Sequence, residues 1–307
     1  MHFCRSIDHP GNGVAPMDQP KNVTIVEVGP RDGLQNEKAI IASRHKLALI
    51  GLLADAGLAR IEATAFVSPK WVPQMADHDE VMRKAPRRPG LVLSALVPNE
   101  KGAAAAIEAG TQELAVFASA SETFASKNTN CTITQSIERF KPVMALALAH
   151  DLPVRGYVSC AIDCPYEGPI DPRAVRAVSE RLMDIGCREV ALADTIGRAS
   201  PQRVDQMLTE VVGEIAAARL ACHFHDTSGR ALANIDVALT HGIRVFDSAV
   251  GGLGGCPYAP GAAGNVATEA VVAHLHALGH PTGIDAGKLA HARTLALRLK
   301  AGTGPRN

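Results

Sequence analysis

The 307-residue chain has seven cysteines but no C-x-x-C pair. That absence removes the zinc ribbon and the thioredoxin-type redox motif. It has no uninterrupted apolar run of about 18 residues, so no membrane-spanning helix is expected. It has no excess of either charge: 31 Lys plus Arg balance 31 Asp plus Glu, and the basic residues do not cluster. No electrostatic footprint for nucleic acid or an anionic membrane follows from that balance. The first ~20 residues lack both the apolar segment of a secretory signal and the Arg-rich amphipathic pattern of a transit peptide. They are read as a loose N-terminal arm over residues 1–20. The scattered thiols suit a reducing cytoplasm, where most act as small core residues.

What is present is a rhythm. After residue 22, short β-rich runs alternate with Ala/Leu-rich helical stretches. The predicted strands are 23–29, 59–64, 91–97, 113–118, 154–159, 189–193, 220–225 and 244–248. Helices are predicted over 43–56, 101–109, 134–150, 172–185, 201–218 and 229–241, several of them stopping at Gly57, Gly110, Gly186 and Gly242. Eight βα units without a linker-like break read as one (β/α)8 barrel over residues 21–307, with extra helices at the C-terminus. An open doubly wound sheet is the rival, but no G-x-G-x-x-G follows the first strand. With 47% apolar and 20% charged residues, the chain can bury a core of this size unaided.

Barrel chemistry sits at the C-terminal ends of strands, and the reactive residues fall there. Strand 7 ends in His223-Phe224-His225, and residues two apart on a strand share a face. Taken alone, the pair serves equally as two metal ligands or as two hydrogen-bonded polar groups. Asp32 follows strand 1 within Gly29-Pro30-Arg31-Asp32-Gly33. It supplies an anionic oxygen beside the imidazoles, although the same residues also make a turn. Arg31 offers a permanent positive charge for a developing oxyanion. After strand 8, four glycines within Gly251–Gly255 precede Cys256, then come Asn265 and Glu269. Glycine lets backbone approach a ligand closely. Glu62 on strand 2, Asp194 on strand 6 and Cys160 on strand 5 add polar groups near strand ends. Glu62 is expected to pair with Arg31. Glu27 is assigned no role.

Several runs together resemble the 3-hydroxy-3-methylglutaryl-CoA lyase family: Val26–Glu37, Phe66–Met75, Arg155–Cys160 with Cys164–Gly168, Asp194–Gly197, and the glycine loop around Cys256. The resemblance implies a (β/α)8 barrel that splits a branched 3-hydroxyacyl-CoA into acetyl-CoA and a 3-oxo acid. It implies Mg2+ or Mn2+, with Zn2+ or Co2+ also compatible, held by Asp32, His223, His225 and Asn265. It further implies that Arg31 stabilises the enolate oxygen, that Cys256 protonates the carbanion, and that Asp194, Glu62 and Glu269 are acid–base or supporting carboxylates. His223 is a candidate for both ligation and catalysis. The expected partner is a small acyl-CoA, with a homodimer or higher homo-oligomer as the family's habit. Two positions depart from the pattern: Ala65 and Ala191 stand where the family usually has serine. They leave the reaction type alone and widen the choice of acyl group. The rivals are a Claisen-condensing synthase of the isopropylmalate or homocitrate type, an aldolase of 4-hydroxy-2-oxo acids, and a silent metal-binding barrel.

Overall fold

The computed structural model describes residues 22–256 and 259–302, with side chains left out over 256–263. The arm expected over 1–20 lies outside the described residues. Eight parallel strands close on themselves: β1 (Thr24–Glu27), β2 (Arg60–Ala65), β3 (Val92–Leu96), β4 (Glu113–Ser119), β5 (Val154–Ser159), β6 (Glu189–Asp194), β7 (Leu220–Phe224) and β8 (Val245–Ser248). Each lies inside its predicted stretch or within a residue of it. β1 pairs with both β2 and β8, which closes the barrel. The open-sheet rival is thereby excluded.

Helices follow the strands: α1 (Ser43–Asp55), α2 (His78–Lys84), α3 (Glu100–Glu108), α4 (Glu122–Thr129), α5 (Ile133–Ala149), α6 (Pro172–Asp184), α7 (Pro201–Val212) and α8 (Ala231–Thr240). α9 (Thr268–Ala277) and α10 (Ala286–Lys300) form the expected C-terminal helices. Their starts are written in the sequence. Thr132 and Gln135 make a reciprocal capping box on α5. Asp171 and Ser200 cap α6 and α7, each followed by proline in the first turn. α7 is shorter than predicted: it ends at Val212, and the chain turns through Gly213 to a separate 3-10 turn at Ala217–Arg219.

The core wraps the barrel wall, and Val26, Ile61, Leu93, Val116, Val190 and Phe246 are all buried. The barrel interior itself departs from the usual apolar filling. Arg60 bridges Glu113 and Glu189 at 3.0–3.1 Å. Arg155, 1% exposed, holds Glu189 at 2.7 Å and Asp247 at 2.7 Å. Such ion pairs give register more than net stability, because desolvation offsets most of their attraction.

Glu27 faces the outside of the barrel wall. Its carboxylate accepts the backbone N–H groups of Gly29 (2.8 Å) and Val250 (3.0 Å) and the hydroxyl of Thr268 (2.6 Å). It thus ties β1 to the turn after β8 and to the start of α9. Burial pushes its carboxyl up to about 7, against those hydrogen bonds. A carboxyl raised above its unfolded value near 4.5 favours the protonated folded state. Stability linked to Glu27 is therefore present below about pH 4.5 and lost as pH rises through about 7, by on the order of 3 kcal/mol. Urea unfolding at pH 5 and pH 8 checks this: Glu27→Gln should shrink the difference between the two pH values, and an unchanged difference would remove Glu27 as its source.

Candidate active site

The first turn after β1 is a five-residue π-helical turn, Gly29–Gly33, with Pro30 in its opening positions. It turns Arg31 and Asp32 over the barrel mouth. Gly33 is needed there for space: a Cβ would sit 2.6 Å from Leu253 Cβ. β7 delivers His223, and His225 follows one residue beyond it, bridged to Asn265. Ligand atoms of Asp32, His223 and His225 all lie within 4.8 Å of one another. The turn, the strand pair and the segment after the glycine loop therefore converge as the sequence predicted.

Asn265 completes the group. Its Nδ2 donates to Asp32 Oδ2 at 2.7 Å and to the Leu253 carbonyl at 3.3 Å. Its Oδ1 is buried and has no hydrogen-bond partner among the described residues, and the same holds for His225 Nδ1. A buried polar atom left unpaired costs free energy, so each such atom calls for a missing partner. Two imidazoles, one carboxylate and one amide oxygen form a donor set that suits a divalent cation. The residues present fit the implied metal.

The electrostatics agree. Burial alone would raise Asp32, but Arg31, the two histidines and the Asn265 hydrogen bond bring it down to about 2. Burial and the neighbouring His223 lower His225 to about 4, which keeps its imidazole neutral and able to donate a lone pair. Burial disfavours the Arg31 charge, yet Glu62 and Asp32 more than restore it.

Arg31 is held on both sides. Its Nε donates to Glu62, and its NH1 donates to Asp32 Oδ1 at 2.7 Å. The expected Arg31–Glu62 pair is present. The other Glu62 oxygen accepts from the Tyr157 hydroxyl at 2.8 Å, and Tyr157 in turn accepts from Arg155 at 2.7 Å. Sequence reasoning missed Arg155, Tyr157 and Asp247 as part of this site. The signal was there: Arg155 and Tyr157 lie two apart on one strand, and a polar pair on the inner face of a barrel needs partners.

The remaining candidates sit farther out. Asp194, buried at the end of β6, accepts the N–H groups of Arg198 (3.2 Å) and Ala199 (2.9 Å). Burial raises it to about 6 despite those bonds. Glu269 accepts from the Gly251 N–H at 3.0 Å and pairs with Arg293 at 2.8 Å. It braces the start of the glycine loop at Gly251 and is not among the clustered ligand atoms. Cys160 is buried, with its thiol pushed above the ordinary range by burial. The Cys256 side chain lies outside the described residues. Its backbone belongs to a short antiparallel pair, Gly255–Cys256 with Ala259–Ala263. Gly264 and Gly254 cross at the base of that pair, where a Cβ on Gly264 would lie 2.7 Å from Gly254 backbone. Ala65 and Ala191 are both fully buried.

The HMGL-like family model matches residues 22–296. The chain belongs to the HMGL-like family. It is 54% identical over 273 residues to the mitochondrial hydroxymethylglutaryl-CoA lyase of Rattus norvegicus, covering 89% of this chain and 84% of that one. A crystal structure of the HMG-CoA lyase from Brucella melitensis superposes with a TM-score of 0.90 at 54% identity, covering 92% of this chain and 99% of that one. An HMG-CoA lyase from Acinetobacter baumannii, in complex with coenzyme A and 3-methylmalate, matches with a TM-score of 0.86 at 37% identity over 93% of each chain. Membership in the family, and the barrel it implies, are thus established.

Proposed function

We propose that the chain is a carbon–carbon lyase that cleaves 3-hydroxy-3-methylglutaryl-CoA, or a close branched analogue, into acetyl-CoA and a 3-oxo acid, using a divalent metal. The observation that carries the reading is the convergence of Asp32, His223 and His225 on one point, beside an unpartnered Asn265 oxygen and the Arg31 guanidinium. The relatives named above are lyases of this kind, and one was solved with coenzyme A. Coenzyme A esters are accordingly the substrate class.

Cleavage removes the proton of the tertiary hydroxyl, breaks the C2–C3 bond and leaves its electron pair on the thioester as an enolate. Asp32, His223, His225 and Asn265 would hold the divalent cation, which would supply the Lewis acidity that makes such a hydroxyl easier to ionise. Asp194, at the end of β6, is one of the carboxylates to which the resemblance assigns acid–base or supporting work, and it is our candidate to receive the proton. Arg31 stands as a fixed charge for the enolate oxygen, and Glu62 and Tyr157 hold it in place. The family resemblance gives Cys256 the return of a proton to the acetyl carbanion. Ala65 and Ala191 stand where the family usually has serine, so branched acyl groups longer than methylglutaryl also belong in the substrate panel. We place the enzyme in a reducing compartment, the cytoplasm, in keeping with the free cysteines at 131, 160, 164, 187 and 222. Among the described residues, no helix is long and apolar enough to cross a membrane.

A coupled assay for acetyl-CoA release tests the activity directly. Release should stop with EDTA and return with Mg2+ or Mn2+. Release that persists in EDTA would dismiss the metal, and no release from any branched 3-hydroxyacyl-CoA would dismiss the lyase. Cys256→Ser should lower kcat by about 10²–10⁴-fold, the usual worth of a positioned proton donor, while Mn2+ binding by calorimetry stays near that of the parent. Full activity in that variant would remove Cys256 from the proton path.

A further inference from the structure

β8 places Asp247 in register with His223 on β7, both facing the barrel interior. The Asp247 side chain is fully buried. Its Oδ2 lies 3.1 Å from His223 Nδ1, and the two oxygens take the NH1 and NH2 groups of Arg155 at 3.0 and 2.7 Å. A carboxylate only accepts hydrogen bonds. The proton of this contact therefore sits on His223 Nδ1, and the lone pair of the ring sits on Nε2. His225 has no comparable arrangement, since its Nδ1 is unpartnered among the described residues.

Arg155 has a second arm. Its NH1 also donates to the Tyr157 hydroxyl, which donates to Glu62, which holds Arg31. One buried guanidinium thus supports the ligand histidine through Asp247 and the cationic side of the site through Tyr157. Arg155 is itself steadied from below by Glu189 at 2.7 Å.

We infer that Asp247, clamped by Arg155, is the positioning residue of the metal centre: it fixes the Nδ1–H tautomer and the ring orientation of His223 and so commits Nε2 to the cation. This rests on the metal-centre reading above. Partners of this kind orient metal-bound imidazoles, and their loss typically costs ~10–100-fold in metal affinity.

The test has two parts. In metal-free protein labelled with ¹⁵N-histidine at about pH 8.5, where free imidazole is neutral, the resonance that disappears in His223→Ala should report a protonated Nδ1. In Asp247→Asn, Arg155 keeps the amide oxygen and turns the NH2 group toward the ring. The tautomer should then invert, and Mn2+ affinity by calorimetry should fall ~10–100-fold, with an altered Co2+ absorption spectrum. Glu189→Gln is the control for general weakening, because it also frees Arg155 from a buried carboxylate yet leaves Asp247 on His223. It should bind Mn2+ within about threefold of the parent, since the Asp247–His223 contact itself is left in place. A deprotonated Nδ1 in the parent, or unchanged Mn2+ affinity in Asp247→Asn, overturns the role of Asp247. Equal losses in the two variants reduce it to a structural role. A parent that binds neither Mn2+ nor Co2+ overturns the metal centre itself, while the ¹⁵N measurement still decides whether Asp247 sets the tautomer.

Discussion

Asp32→Ala should abolish metal binding and lower turnover by at least about 10³-fold, because the Lewis acid contributes several kcal/mol and each 1.36 kcal/mol is tenfold in rate. Among the described residues, Asp32 is the one carboxylate in the cluster of ligand atoms. Removing it leaves two imidazoles and an amide, a neutral set with far weaker hold on a hard cation. It also strips Arg31 of one ion-pair partner and Asn265 of one of its two acceptors. Metal content by elemental analysis, together with kcat for thioester cleavage, reads both effects at once. A variant that keeps its metal and its turnover would return Asp32 to the role of a turn former.

The second large effect is expected at Arg31. Arg31→Gln removes the fixed positive charge for the enolate oxygen, and loss of one such group costs about 10²–10³ in kcat. The KM for the thioester should move much less, because the interaction strengthens only as charge develops. The same change leaves Glu62 buried without its cation, and breaking a buried pair costs roughly 3–5 kcal/mol. Urea unfolding should show that loss alongside the kinetics. A drop in stability with kcat intact would mean that Arg31 serves only Glu62.

The strands were legible because their β-branched, small and apolar runs are bounded by glycine stops, and the closed barrel follows from counting eight of them. Asp32, His223 and His225 were legible because each lies at or just past a strand end, where a barrel concentrates its chemistry, and Asn265 because it follows the glycine loop after β8. Helices α2 and α4 were not read. They are seven and eight residues long, and their apolar positions are too few to display a period. Arg155 and Asp247 escaped for a different reason. A charged residue inside a β-run resembles an outward-facing alternation, and only the register between β7 and β8 reveals that Asp247 faces His223. Glu27 escaped likewise, because its three donors come from Gly29, Val250 and Thr268, two of them more than 200 positions away.

The polar circuit inside the barrel also bears on how the chain reaches its native state. Its links join residues far apart in sequence: Tyr157 to Glu62, Arg155 to Asp247, and Asn265 to Asp32. Contacts of such long range must await the closure of large loops of chain, and they form late and slowly. Until β8 docks, Arg155 has only Glu189 to neutralise it, and His223 faces an open edge of sheet. A nascent chain that stalls with seven strands assembled would carry a half-built, charged interior and an unpaired strand edge, the kind of species that chaperones must shield from aggregation. Competence in this barrel therefore waits on its last strand and on the segment beyond it that brings Asn265 to Asp32.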